Sequence, residues 1–116
     1  MNKAKVVKEL KIICLEYSDI LGRVILFGSF SRDEATDQSD IDLYIEPRDI
    51  NMTTARLGTN KRYREFKRSL YNRFDNEFDL MTYGGKRDLS AIKKTPLWDQ
   101  IAKDGVIIYD QRTKTI

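Results

Sequence analysis

Gly28 and Ser29 stand side by side, and after ten intervening residues Asp40 and Asp42 follow with a single isoleucine between them. Glycine at a turn lets an anion approach the backbone closely, and N–H groups released at the end of a strand can donate to that anion. A serine hydroxyl adds one more hydrogen bond. Two carboxylates at alternate positions of an extended segment lie on one side of it, about 7 Å apart along the chain. Anions held that close repel each other, and a hard divalent cation such as Mg²⁺ relieves the repulsion while keeping open positions for phosphate oxygens. Asp79 lies in a second alternating segment, "EFDLMTY", and is the candidate third carboxylate. Three aspartates on neighbouring strands can hold two divalent ions, Mg²⁺ or Mn²⁺, in the arrangement suited to in-line displacement at phosphorus. Arg32, just beyond the turn, is a candidate contact to a triphosphate. Gly28, Ser29 and Arg32 thus read as nucleotide-binding residues, and Asp40, Asp42 and Asp79 as catalytic residues and metal ligands.

The rest of the composition narrows the alternatives. Histidine is absent, which excludes a Ser-His-Asp triad, a Cys-His pair and any zinc site built on imidazole. The single cysteine, Cys14, sits among Ile12, Ile13 and Leu15 and reads as a small buried hydrophobe in a reducing compartment. An EF-hand reading of residues 37–48 fails, because the sixth position is Asp42 and the twelfth is Arg48. At 116 residues, with 41% hydrophobic and 34% charged residues, the chain is expected to be one soluble globular domain over residues 1–116. No apolar run approaches the roughly 18 residues of a membrane span, and the lysine-interrupted start does not form a signal-peptide core. A cytoplasmic protein without membrane contact is expected.

Charge is unevenly spread although the net value is only +3. From Arg32 to Asp49 there are seven acidic residues against two basic ones, whereas from Arg56 to Arg73 seven basic residues face only Glu65. Such a basic run is most often a solvated helix face, with docking of an acidic partner as the sharper reading. No aromatic stacking platform accompanies it, so direct nucleic-acid binding is not expected.

The elements that must position these groups follow from periodicity. Apolar residues at steps of three and four predict a helix over residues 2–19, with Gly22 beyond its end. "RVILFG" reads as a buried strand closing at Gly28, and "SRDEATDQS" as a loop with one helical turn from Ser29. "DIDLYI" alternates, so Ile41, Leu43 and Ile45 face the core while Asp40, Asp42 and Tyr44 face away, and Pro47 stops the strand. Tyr63, Phe66, Leu70 and Phe74 mark a second helix, and residues 77–83 a third strand. A short helix around residues 89–92 precedes another that is capped by Thr95, opened by Pro96 and closed by Gly105, before the last strand "VIIYD". The fold class is therefore α/β (α+β): a small mixed β-sheet with helices packed against it, in the order α-β-α-β-α-β-α-β.

"GSFSR…SDIDL" resembles the signature of the nucleotidyltransferase superfamily that includes DNA polymerase β, and specifically its minimal nucleotidyltransferase (MNT) branch. Gly28, Ser29, Asp40 and Asp42 match the Gly-Ser, ten residues, Asp-x-Asp spacing, Asp79 matches the later carboxylate, and "DGVIIYD" matches the usual last strand. Ser31 and Asp33 depart from the branch, which commonly has a small residue and a glycine there. The resemblance implies transfer of AMP from ATP to a hydroxyl, with two bound Mg²⁺ ions. It further implies an antitoxin that modifies a tyrosine of a partner HEPN toxin. Two other readings remain open: a weakly active or inactive module that neutralises a partner by binding alone, and a transferase acting on a small-molecule acceptor.

Overall fold

A computed structural model, which describes residues 2–113, resolves the chain into α1 (Lys3–Glu16), β1 (Leu21–Phe27), β2 (Ile41–Pro47), α2 (Thr54–Thr59), α3 (Lys61–Arg73), β3 (Phe78–Thr82), α4 (Lys86–Ile92), α5 (Pro96–Asp104) and β4 (Val106–Asp110). The strands form one sheet in the order β3-β2-β1-β4. β1 runs antiparallel to both β2 and β4, and β2 runs parallel to β3, so the expected mixed sheet is present.

The two helices before β4 follow the local sequence reading, and the element order departs from expectation in the two earlier connections. Between β1 and β2 there is no helix. The polar loop has no apolar stripe to bury, and antiparallel neighbours need no crossover, so the segment folds into successive turns. Between β2 and β3 there are two helices where the sequence suggested one. α2 is six residues long with Leu57 as its buried residue, too short for a periodic signal, and its start is fixed by the Thr53 side chain accepting from the Arg56 N–H. Asn60 then caps α3 in the same way, accepting from the Tyr63 N–H.

α1 and α3 cover one face of the sheet. Val6, Leu10, Ile41, Leu43, Ile45, Phe66 and Leu70 meet there, and Cys14 is fully buried among them, where burial pushes its thiol pKa up. Arg62 ties α3 to the turn after α1 through two bonds to Asp19, of 2.9 and 3.1 Å, and lies over the Tyr17 ring at 4.5 Å. Arg73 pairs with Glu9 of α1. Two of the seven basic residues between Arg56 and Arg73 are thus ties between helices.

Tyr44 corrects the reading of β2 as a strand with only one apolar face. It is fully buried on the opposite side with Ile25, Ile92 and Ile101, and its ring meets Trp98 edge-on at 5.2 Å. Its hydroxyl donates to Glu46 at 2.5 Å, and Glu46 also accepts from Arg23 at 2.8 Å. α4 and α5 supply this second layer, with Thr95 accepting from the Trp98 N–H and Gly105 donating to Ile101 at 2.8 Å as expected. Alternation alone cannot distinguish a strand face that meets water from one that a later helix covers.

The first layer should dominate stability. Phe66→Ala is expected to cost about 3–5 kcal/mol in urea denaturation, because it opens a cavity in a packed core. Leu15→Ala, at a residue 52% exposed, should cost less than about 0.5 kcal/mol.

Candidate active site

β1 delivers the turn. Phe27 pairs with Asp42 across the antiparallel ladder, and Gly28, the next residue, turns the chain with φ of 75°. Glycine is required here for two reasons. An L side chain rarely adopts this φ, and a Cβ would lie 2.0 Å from the Asp42 Oδ2. Beyond it the Arg32 N–H donates to the Gly28 carbonyl at 3.3 Å and the Glu34 N–H to that of Ser29 at 2.9 Å. The Ser31 hydroxyl donates to the same Gly28 carbonyl at 2.7 Å, and the side chain of Phe30 is anchored in the core. Ser31, a departure from the family pattern, therefore closes the turn. Asp33, the other departure, takes φ of 61°, a conformation that glycine adopts freely and aspartate tolerates.

Among the described residues, the N–H groups of Ser29, Phe30 and Ser31 and the Ser29 hydroxyl have no hydrogen-bond partner. Consecutive unpartnered donors in one turn suit an anion.

β2 and β3 deliver the acids. Asp42 and Asp79 are register partners in the parallel ladder, which puts their side chains next to each other on the face opposite α1 and α3. Asp40 lies just before the first residue of β2, one strand repeat from Asp42. Asp42 is half-buried, while Asp40 and Asp79 are exposed. Burial first, and then the Asp79 and Asp40 carboxylates, push the Asp42 pKa up to about 6, against a smaller opposing pull from Arg32. Arg32 pairs with Glu34 at 2.6 Å and also feels Asp104, at the end of α5, as well as Asp42. All six residues named from the sequence therefore gather at one end of one face. The three aspartates crowd one another electrostatically without closing on a common point, and among the described residues no group of three or more acidic side chains forms a ready metal cage.

The donor set fits a divalent cation on its own chemistry. Three carboxylates gather with the Arg32 guanidinium nearby, itself engaged by Glu34, and the middle carboxylate is half-buried between two like charges, so a hard cation would relieve the repulsion.

Sequence reasoning missed Asn76. Its Nδ2 donates to the Ser39 carbonyl at 2.9 Å and to that of Asp37 at 3.2 Å, which fastens the segment before Asp40 to the approach to β3. Nothing local in "FDNEF" signals this, because both acceptors lie more than 35 positions earlier in the chain.

A Gly-Ser turn at the end of β1 thus faces carboxylates on and beside the next two strands of a mixed sheet. The chain belongs to the polymerase beta nucleotidyltransferase family, whose profile matches residues 8–114. Several solved structures share the fold. A chain of a toxin–antitoxin complex with AMP-PNP aligns with a TM-score of 0.56 at 19% identity, covering 97% of this chain and 77% of that one. A Sulfolobus solfataricus protein assigned as a candidate nucleotidyltransferase aligns at 0.55 and 19% identity, covering 98% and 88%. A chain from the tri-AMPylated Shewanella oneidensis HEPN toxin in complex with its MNT antitoxin aligns at 0.50 and 21% identity, covering 97% and 72%. No curated protein matches the sequence.

The raised pKa of Asp42 has a defined consequence for stability. Between its ordinary value near 3.8 and about 6, the native state binds a proton that the unfolded chain releases, so stability falls as pH rises through this window. Above it the cost is fully present. Asp42→Asn should therefore raise Tm by a few degrees at pH 8 and change it little at pH 4 in metal-free buffer, followed by thermal melts across the range. Gly28→Ala should lower stability by about 1–2 kcal/mol, and Asp42→Asn should not fully rescue it because the backbone strain persists.

Proposed function

We propose that the protein transfers AMP from ATP to a tyrosine hydroxyl of a partner HEPN toxin and acts as its antitoxin. The observation that carries this is the pairing of Asp42 with Asp79 across the parallel ladder, with Asp40 one repeat away and the Gly28 turn packed against the Asp42 carboxylate. Family membership supports the reaction class, and the toxin–antitoxin assemblies among the fold relatives support the partner.

In this reading the N–H groups of Ser29, Phe30 and Ser31 and the Ser29 hydroxyl grip the β- and γ-phosphates, and Arg32 leaves Glu34 to join them. Asp40, Asp42 and Asp79 would hold Mg²⁺ or Mn²⁺, two ions when fully loaded, which supply charge neutralisation and a more acidic acceptor hydroxyl. The acceptor oxygen bonds to the α-phosphorus as the bond from that phosphorus to the pyrophosphate oxygen breaks. Its proton passes to water beside the exposed Asp79. The turn stays with the departing pyrophosphate, so its donors meet charge as it develops. The reaction asks for positioning and charge compensation more than for a protein acid or base, consistent with a chain that lacks histidine.

The test mixes the purified protein with labelled ATP, Mg²⁺ and the product of the adjacent open reading frame. Label should appear on a partner tyrosine, and Asp40→Asn with Asp42→Asn should lower the rate by at least about 100-fold. Wild-type protein that binds Mg²⁺-ATP yet leaves the partner unlabelled would refute the reading. Neutralisation surviving in the double variant would show that occlusion, not transfer, silences the partner.

A further inference from the structure

β3 is the outermost strand on its side of the sheet. The Ile41 N–H donates to the Glu77 carbonyl and the Tyr83 N–H to that of Ile45, so the odd-numbered residues of this segment turn their backbone groups toward β2. Those of Phe78, Leu80 and Thr82 point away from the sheet, and among the described residues no strand pairs with them. Proteins commonly blunt such an edge with lysine, proline or a covering element. β3 contains neither lysine nor proline. Phe78 and Leu80 instead share an open groove of ≈ 450 Å³ with Tyr71 of α3. Tyr71 is 47% exposed, and its ring meets that of Phe78 edge-on at 5.2 Å.

Lys67 and Arg68 border this groove. Unlike Arg62 and Arg73, neither forms an ion pair among the described residues, although Lys67 lies over the Tyr63 ring at 5.3 Å. An apolar edge with unpaired backbone groups and uncompensated positive charge on one side is complementary to an extended, acidic segment.

We propose that this edge receives an extended acidic segment of the partner protein as an additional strand beside β3, and that this strand presents the acceptor hydroxyl to Asp79. Side chains alternate along a strand, so a residue of the added strand opposite Asp79 lies on the site face, about 5 Å from it backbone to backbone. Its immediate neighbours along the added strand point to the other face, toward Lys67 and Arg68. One docking event thus satisfies the edge, pairs the charges and positions the acceptor. The hydroxyl half of this proposal rests on the transfer reading above, whereas the docking half does not.

The test uses a short synthetic peptide with tyrosine at its centre, glutamate at alternate positions beside it and valine elsewhere, and a control with lysine for glutamate. Amide exchange followed by NMR should slow at Phe78, Leu80 and Thr82 when the glutamate peptide is added, by at least about 10-fold. Asp79 and Met81, already bonded to β2, should change little. A Lys67→Glu, Arg68→Glu double variant should bind the peptide at least about 10-fold more weakly. Its affinity for Mg²⁺-ATP, measured by calorimetry, should be unchanged, which also shows that the variant is folded. Unchanged exchange at the three edge amides, or equal binding of the lysine peptide, would overturn the docking. Protected edge amides with no AMP on the peptide tyrosine, under conditions in which the partner protein itself is labelled, would uphold the docking and overturn the acceptor half alone.

Discussion

The site depends on a like-charge contact that the sheet enforces. Asp42 and Asp79 would separate if their backbones were free, but the parallel ladder between β2 and β3 holds them in register. Asp40 adds a third negative charge from the same segment, and Gly28 presses its turn against the Asp42 carboxylate. The repulsion is tolerable because Asp40 and Asp79 reach water while only the central carboxyl is half-buried. The strain falls on Asp42, whose pKa rises to about 6. In the proposed reaction a cation and a polyphosphate arriving together would offset this cost, since each compensates the charge of the other.

Everything around the three acids maintains that register. The first layer, α1 and α3 against Ile41, Leu43 and Ile45, secures β2 from below. The second layer, α4 and α5 against Ile25 and Tyr44, covers the same face that carries Asp42 and ends where the carboxylates begin. One strand therefore has a buried half and a chemical half on a single face, only two residues apart. Asn76 adds the remaining restraint by fastening the carbonyls of Asp37 and Ser39 to the approach to β3, so the loop that carries Asp40 moves with the strand that carries Asp79.

The basic stretch from Arg56 to Arg73 illustrates how one compositional feature divides into separate roles. Arg62 and Arg73 reach across to Asp19 and Glu9 and hold the first layer together. Lys67 and Arg68, on the same helix but bordering the groove at the sheet edge, form no ion pair among the described residues. Sequence spacing places all four on one helix. Only the position of α1 on one flank and the open edge of β3 on the other separates them.

By itself the sequence determined the identities and spacing of the chemical groups: the Gly-Ser turn, Asp40 and Asp42 on one side of a strand, and Asp79 on another. It also determined most of the elements, because alternation and helical periodicity are local properties of the chain. The Thr95 cap and the closing Gly105 were legible for the same reason. Tertiary structure decided what local pattern cannot encode. It set β3 beside β2 in the register that brings Asp79 to Asp42, and it covered Tyr44 but not Asp42 on a shared face. It also recruited Asn76 from a distant segment. Each of these depends on pairing between residues remote in sequence, and the free energy that selects such pairings arises only when the layers pack.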